Sequence, residues 1–351
     1  MNKIFNIKGL TFRAKNCKIV LVMISHRKDF FMFTIGVDLG GTNIAIGICD
    51  RDMNMIAKGS VKTEVSGGTA HIMDNMAALI ESLLKNNNID KSQVEYIGIA
   101  TPGSVDVKGG VVESAFNLGF DHFPIAAELR SRLGIEKVYV ANDANAAALG
   151  EALGGAAKGT EHSVMVTLGT GVGGGVIIDK HIFDRGVNAA VAELGHMVIH
   201  VGGRQCSCGR RGCFEAYSSA TALTRMTEEK MAELEIKGVK SAMFDVRDKY
   251  GKVSARTAFD AMRMGCPFAK EVVDTYIRYL AEGITNIVNI FQPEVLSIGG
   301  GVCNEGDALL LPLIDIVNRE QFARSAKTKT KIAIAKLGND AGIIGAAGLG
   351  R

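Results

Sequence analysis

Residues 193–215, ELGHMVIHVGGRQCSCGRRGCFE, place one imidazole and three thiols within eighteen positions: His196, Cys206, Cys208 and Cys213. No other stretch constrains the fold as tightly. Three thiols and an imidazole are the ligand set of a closed structural zinc site. Cys206 and Cys208 flank a single residue, too close in sequence for relaxed disulfide geometry. Gly209 and Gly212 let the chain turn tightly before Cys213. His200 competes with His196 for the fourth ligand position, and spacing alone does not choose between them. Glu193 lies three residues before His196, and Glu215 follows the last cysteine. A Zn2+ ion here would fix two carboxylates and an imidazole in one place, as support for a polar ligand.

The other cysteines, Cys17, Cys49, Cys266 and Cys303, stand singly in mostly apolar surroundings. They read as reduced, buried thiols, which fits a reducing cytoplasm. A chain of 351 residues with 47% hydrophobic content is expected to form two lobes, each with its own core. The net charge of +3 gives no whole-chain argument for a nucleic-acid or membrane partner. Residues 1–32 are basic and lack a pattern. The apolar run 19–24 is too short to span a bilayer, and no cleavage pattern of a signal peptide follows it. This segment is expected to be a disordered extension or a mis-assigned start, with Met32 or Met23 the initiator; a flexible or targeting extension is the alternative.

Patterning begins at Phe33. Residues 33–37 read as a strand, and Ile44, Ile46 and Ile48 alternate as a second strand, followed by turn chemistry at 50–54 and a third strand. Between the first two lies DLGGTN, in which Gly40, Gly41 and Thr42 offer backbone N–H groups to an anion. Asp38 at the strand end could hold Mg2+. The alternative is a plain glycine hairpin whose aspartate satisfies its own backbone. Residues 71–84 form an amphipathic helix. Strands are expected at 96–100 and 138–141. The second runs into Asn142-Asp143 and an alanine-rich helix to about Gly154. That pair suits a helix N-cap, and equally a catalytic base held ionised by the helix dipole.

Strand 163–168, the glycine loop 169–175 and a returning strand 176–179 echo the first unit, which points to an internal duplication. The GxGxxG match leads into a strand rather than a helix, so it fails the dinucleotide context. Helices follow at 218–235 and 269–291, the latter with a stripe of Val273, Tyr276, Leu280, Ile284, Ile287 and Phe291. Strand 295–298 runs into Gly299, Gly300 and Gly301, a surface for a flat ring or a bare turn. A helix at 307–322, a strand at 331–335 and a small-residue helix at 339–349 complete the chain. The first lobe is expected to span 33–150, with the helix at 339–351 returning to it, and the second 151–338.

These motifs resemble, in order, those of the ROK family (repressor, open reading frame, kinase) of actin-like, hexokinase-type proteins. The residues that carry the likeness are DLGGTN at Asp38, GIATPG at Gly98, NLG at Asn117, ANDANAAALGE at Ala141, LGTGVGGG at Leu168, ELGH at Glu193 and CSCGRRGCFE at Cys206. Within the family they look most like bacterial glucokinases. The resemblance implies a two-lobed α/β fold with a ribonuclease H-like duplication and a zinc-stapled loop. It implies ATP-dependent phosphorylation of a hexose, glucose above all, with Asp143 as general base. Asn117, Asn142, Glu193, His196 and Glu215 would hold the sugar. Gly40, Gly41, Thr42, Gly169, Thr170, Gly171, Gly173 and Gly174 would hold ATP phosphates, with Mg2+, and Gly299, Gly300 and Gly301 would border the adenosine. His196, rather than His200, would join Cys206, Cys208 and Cys213 on a structural Zn2+. A homodimer or homotetramer is implied as well. Kinases for N-acetylmannosamine, allose or fructose share most of these residues. The repressors of the family carry an N-terminal helix-turn-helix, for which residues 1–32 are too short.

Overall fold

The computed structural model describes residues 32–184, 186–188 and 190–351, together with the backbone of two short strands, β1 (Ile4–Ile7) and β2 (Leu10–Arg13), which pair antiparallel. The rest of the first 31 residues, and with it the reading of that segment as an extension, lies outside the described residues.

Two five-stranded sheets carry the molecule. The first contains β3 (Phe33–Leu39), β4 (Asn43–Cys49), β5 (Met55–Lys62), β6 (Val94–Thr101) and β10 (Val138–Asn142), in the order β10-β6-β3-β4-β5. β4 is antiparallel to β3 and β5, whereas β3, β6 and β10 run parallel. Interior strand β6 is buried at every position but Glu95 and is mostly apolar, as a strand covered on both faces must be. Edge strand β5, MIAKGSVK, alternates half-buried and exposed residues. The second sheet repeats the plan with β11 (Ser163–Leu168), β12 (Val172–Ile178), β13 (His181–Ile182), β14 (Val295–Gly299) and β15 (Lys331–Ile334), in the order β13-β12-β11-β14-β15. Its antiparallel and parallel pairings match those of the first, so the expected duplication is present.

Helices cover each sheet. α1 (Gly68–Asn86) buries Ile72, Met73, Met76, Ile80 and Leu83 on the first sheet, beside α2 (Ile125–Leu133). α4 (Glu215–Ser218), α5 (Ala220–Ile236), α6 (Ala242–Tyr250), α7 (Ala255–Arg263), α8 (Pro267–Phe291) and α9 (Asp307–Glu320) build the second lobe. In α8 the expected stripe is buried from Val273 to Ile287, while Phe291 is only partly covered. The sequence reading missed α2, α6, α7 and a small sheet of β7 (Ser104–Asp106), β8 (Val111–Ala115) and β9 (Phe120–Phe123). It also started the returning strand too late. β12 begins at Val172, so Gly173, Gly174 and Gly175 are paired strand residues and the open loop is only 169–171. Consecutive glycines carry no hydrophobic alternation, but here they make room. A Cβ on Gly174 would lie 2.6 Å from Leu194 and one on Gly175 2.6 Å from Ala148.

Two helices exchange places between the lobes. α3 (Asp143–Gly154) leaves β10 of the first sheet and packs on β11 and β12 of the second. α10 (Ala341–Ala347) follows β15 of the second sheet and packs on β3, β4 and β6 of the first. They cross at backbone contact. A Cβ on Gly345 would fall 1.7 Å from the Ala146 carbonyl oxygen, and one on Gly150 2.1 Å from that of Ala341. Among the described residues no helix is long and apolar enough to cross a membrane.

The crossing leaves no space for a methyl group. Gly345→Ala is expected to cost about 1–3 kcal/mol, the usual penalty of overpacking, read as a lower Tm. Gly301→Ala, where a Cβ meets nothing within 4 Å, should leave Tm nearly unchanged. Equal Tm values for the two variants would show that the crossing is loose.

Candidate functional site

The site forms where the parallel strands of the first sheet end, the edge at which open α/β sheets place ligands. Asp38 lies opposite Ala100 across the β3–β6 ladder, and Asn142 opposite Thr101 across β6–β10. The three strands therefore deliver Asp38 and the Asn142-Asp143 pair to one rim. Asn142 caps α3: its Oδ1 accepts from the Ala144 and Asn145 N–H groups at 2.9 and 3.3 Å, and its Nδ2 donates to the Gly103 carbonyl at 3.1 Å. The cap fixes the next side chain, Asp143, whose Oδ1 accepts from Ala144 N–H at 2.8 Å.

The Asp143 side chain reaches solvent, yet the protein atoms around it strip much of its water. That burial raises its pKa above the ordinary aspartate value, against the lowering effect of the Ala144 N–H and Asn142, and the Glu193 carboxylate adds a further upward push. Asp38 is pushed up to about 6, first by burial and then by repulsion from Asp143, with Lys58 pulling the other way. Asp143 thus lies within electrostatic reach of both Asp38 and Glu193, and Lys58 partly offsets the charge at Asp38.

Asn117 reaches the same rim from the single turn Phe116–Leu118 between β8 and β9. Its Nδ2 lies 3.1 Å from where a Gly41 side chain would begin, so the bare glycine lets Asn117 sit on the 40–42 hairpin. Thr63 ties the hairpin down by donating from its hydroxyl to the Gly40 carbonyl at 2.6 Å.

The opposing wall comes from residues 193–215. The turn Leu194–His196 and the bridges Val198↔Cys213 and Gln205↔Arg211 fold this segment onto itself. One ligand atom each from His196, Cys206, Cys208 and Cys213 falls within 4.8 Å of all the others. The Cys208 and Cys213 sulfurs are 3.7 Å apart, and Cys206 Sγ is 3.7 Å from His196 Nδ1. Zn–S bonds of about 2.3 Å in a tetrahedron set sulfurs roughly 3.8 Å apart, whereas a disulfide requires about 2.05 Å. Burial and the neighbouring thiols push Cys213 up to about 12. These thiols would ionise together only around a cation. The structure also separates the two histidines, because the His200 ring stacks on Tyr217, centroids 5.5 Å apart and planes 16° from parallel, and is not in the cluster.

Glu215 joins this wall to the second glycine loop. Its Oε2 accepts from Val172 N–H at 3.0 Å, and its Oε1 accepts from the Ser207 hydroxyl at 3.0 Å. A Cβ on Gly171 would lie 2.3 Å from Oε2, so the loop is glycine where the carboxylate crosses it. The loop is anchored behind by α5: Ala220 N–H donates to the Gly169 carbonyl at 2.8 Å, and the Thr221 hydroxyl to that of Thr170 at 2.8 Å. Gly299, Gly300 and Gly301 lie one strand over, and a Cβ on Gly300 would meet the Leu168 carbonyl at 2.3 Å. Of the residues expected at the site, Gly173 and Gly174 stand apart inside β12. Sequence reasoning gave no role to Ser207 and Val172, which lie inside the CSCGRRGCFE and LGTGVGGG motifs and hold Glu215 by a hydroxyl and a backbone N–H.

Residues 34–351 match the family described as ROK. The chain is 37% identical over 312 residues to a glucokinase of Halalkalibacterium halodurans, covering 89% of this chain and 92% of that one. It is 36% identical over 316 residues to a glucokinase of Thermotoga maritima, covering 90% and 96%. Among solved structures it resembles a ROK family glucokinase from Streptomyces griseus in complex with glucose and AMPPNP, with 32% identity, a TM-score of 0.71, and coverage of 90% of this chain and 98% of that one.

Proposed function

The chain belongs to the ROK family, and from that premise we propose that it is an ATP-dependent hexose kinase that phosphorylates glucose on its 6-hydroxyl. One observation carries the reading: an acid-rimmed cleft with a desolvated aspartate at a helix start, faced by a carboxylate–imidazole wall and flanked by two glycine loops. Glucokinases related along nearly their full length support it.

In this reading glucose lies between the lobes. Asn117 and Asn142 hold it from the first, and Glu193, His196 and Glu215 from the second. A sugar hydroxyl is far too weak an acid to ionise at neutral pH, so a base must take its proton as the P–O bond forms. Asp143 is that base. Its raised pKa, caused first by burial, makes it a better proton acceptor than an ordinary aspartate. The free amides of residues 41–42 and 170–171 receive the ATP phosphates, while the Gly40 and Gly169 N–H groups close the loops on the Asn43 and Gly171 carbonyls at 3.0 Å each; Gly173 and Gly174 lie behind them and Gly299, Gly300 and Gly301 beside the adenosine. Asp38 would hold Mg2+, which when bound neutralises phosphate charge; a half-buried carboxylate pushed up to about 6 and lacking a strong cationic partner is suited to that role. Most of the acceleration then comes from positioning and charge neutralisation.

His196, Cys206, Cys208 and Cys213 would hold a structural Zn2+. With Nδ1 turned to the thiols, His196 keeps its other ring nitrogen for the sugar, and the tautomer is set by the metal side. All described cysteines are free thiols, as a reducing cytoplasm would keep them.

A coupled assay of ADP release over a panel of hexoses should show transfer to glucose. Asp143→Asn should keep the fold and lose about 10²–10⁴ in kcat, the usual worth of a general base. Activity of the parent should fall with decreasing pH as Asp143 protonates, with a midpoint above the ordinary aspartate value of about 4. Near-normal turnover in Asp143→Asn would remove Asp143 from this role. Cys208→Ala should drop bound zinc well below one per chain, raise the glucose KM by about 10–100-fold, as losses around metal sites do, and move the ATP KM far less. Complete zinc loss with an unchanged glucose KM would reduce the metal to a remote staple.

A further inference from the structure

The kinase reading leaves one buried carboxylate without a role. Glu151 has no exposed surface and lies two turns along α3 from Asp143. Its Oε1 accepts from the backbone N–H groups of Lys336 at 2.9 Å and Leu337 at 2.8 Å. Its Oε2 accepts from Ala156 N–H at 2.6 Å and from Lys336 N–H at 3.1 Å. Hydrogen bonds to an ionised acceptor are about twice as strong as neutral ones.

The partners of Glu151 lie at a telling place. Lys336 and Leu337 come just after β15, where the chain leaves the second sheet for α10. Because α3 rides on the second sheet, Glu151 fastens the departing chain to the second lobe. Three residues beyond Leu337, Asp340 is ion-paired with Lys58 of β5, in the first sheet. Only Gly338 and Asn339 separate these anchors, and Gly338 has φ +54°, which glycine adopts without strain. α10 then starts against Asp38, since a Cβ on Gly342 would fall 2.8 Å from Asp38 Oδ2. The anchors are unequal. The Lys58 and Asp340 side chains are 43% and 40% exposed, and ion pairs that open to water contribute little. The Glu151 carboxylate is fully buried and collects four hydrogen bonds from part-buried N–H groups, so removing it costs those bonds where water only partly replaces them.

We propose that Glu151 is a positioning residue for phosphoryl transfer, which fixes the second-lobe end of the 336–340 crossover to α3 and so sets Asp38, beside α10, against Asp143 at the head of α3. The proposal rests on the kinase reading. Residues 338–339 then take up the rotation as the lobes close, and the closed cleft keeps water from ATP. Glu151 itself touches no substrate.

The test is Glu151→Gln. Glutamine keeps the shape and one oxygen acceptor, but turns an amide donor toward backbone donors. Three quantities are read well below the variant's Tm: amide hydrogen exchange at Lys336 and Leu337, kcat for glucose, and the ratio of ATP hydrolysed to glucose phosphorylated. Faster exchange at both amides, a kcat about tenfold lower and a raised hydrolysis ratio are expected. Faster exchange with kcat and ratio within twofold of the parent would overturn the proposal and leave Glu151 a purely structural cap. Unchanged exchange would overturn it too, since the clamp would not then depend on the carboxylate. If the glutamine variant does not fold, Glu151→Asp carries the same readouts, with the charge kept but drawn back by one methylene. The kinase reading fails separately, through absence of sugar phosphorylation in the unaltered chain.

Discussion

The backbone contact between α3 and α10 is the constraint on which the rest of the molecule depends. Each helix starts from one sheet and packs on the other, so the lobes are joined by exchanged elements rather than by a flexible tether. Gly150 and Gly345 bring the helix axes close enough for this exchange. The consequence is chemical as well as mechanical. α3 begins with Asp143 and α10 begins beside Asp38, so the geometry of the crossing is also the geometry of the two acids. A larger side chain at either glycine would separate the helices and move both carboxylates.

The electrostatics follow from the same packing. The parallel strand ends bring Asp38 and Asp143 to one rim, facing Glu193 of the opposing wall, and burial together with carboxylate repulsion disfavours the ionised forms of the two aspartates. Such an arrangement is costly unless cationic or hydrogen-bonding ligands arrive, and in the proposed function glucose and ATP with Mg2+ would supply both. Glu215 extends the arrangement to the other side, with one oxygen on the glycine loop through Val172 and the other on the cysteine loop through Ser207. The 193–215 wall, the 169–171 glycine loop and the cysteine cluster therefore share one carboxylate.

How much of this was readable beforehand depended on how local each signal was. The cysteine cluster, the Asn142-Asp143 cap and the DLGGTN hairpin are written in neighbouring residues, and their geometry is where the motifs put it. Spacing leaves His196 and His200 open and the family resemblance chooses His196; the physical reason, the stacking of His200 against Tyr217 seventeen residues away, shows only in three dimensions. The start of β12 was hidden because Gly173, Gly174 and Gly175 have no side chains to alternate, and what demands glycine there is contact with Leu194 and α3. The small sheet carrying Asn117 has strands of three to five residues, too short for periodicity to register. Glu151 sat in plain view within an alanine-rich helix, but its partners are backbone N–H groups almost two hundred residues later, which no motif records.

The central claim is that one sugar is held by both lobes at once, with the base on one side and the metal-braced wall on the other. Hydrogen–deuterium exchange of the unaltered protein with and without glucose tests it most directly. The expected result is simultaneous protection of the Asn117 turn and the 142–145 cap in the first lobe and of segment 193–215 in the second, with the same glucose dependence. Protection confined to one lobe, or two segments responding at different glucose concentrations, would contradict it.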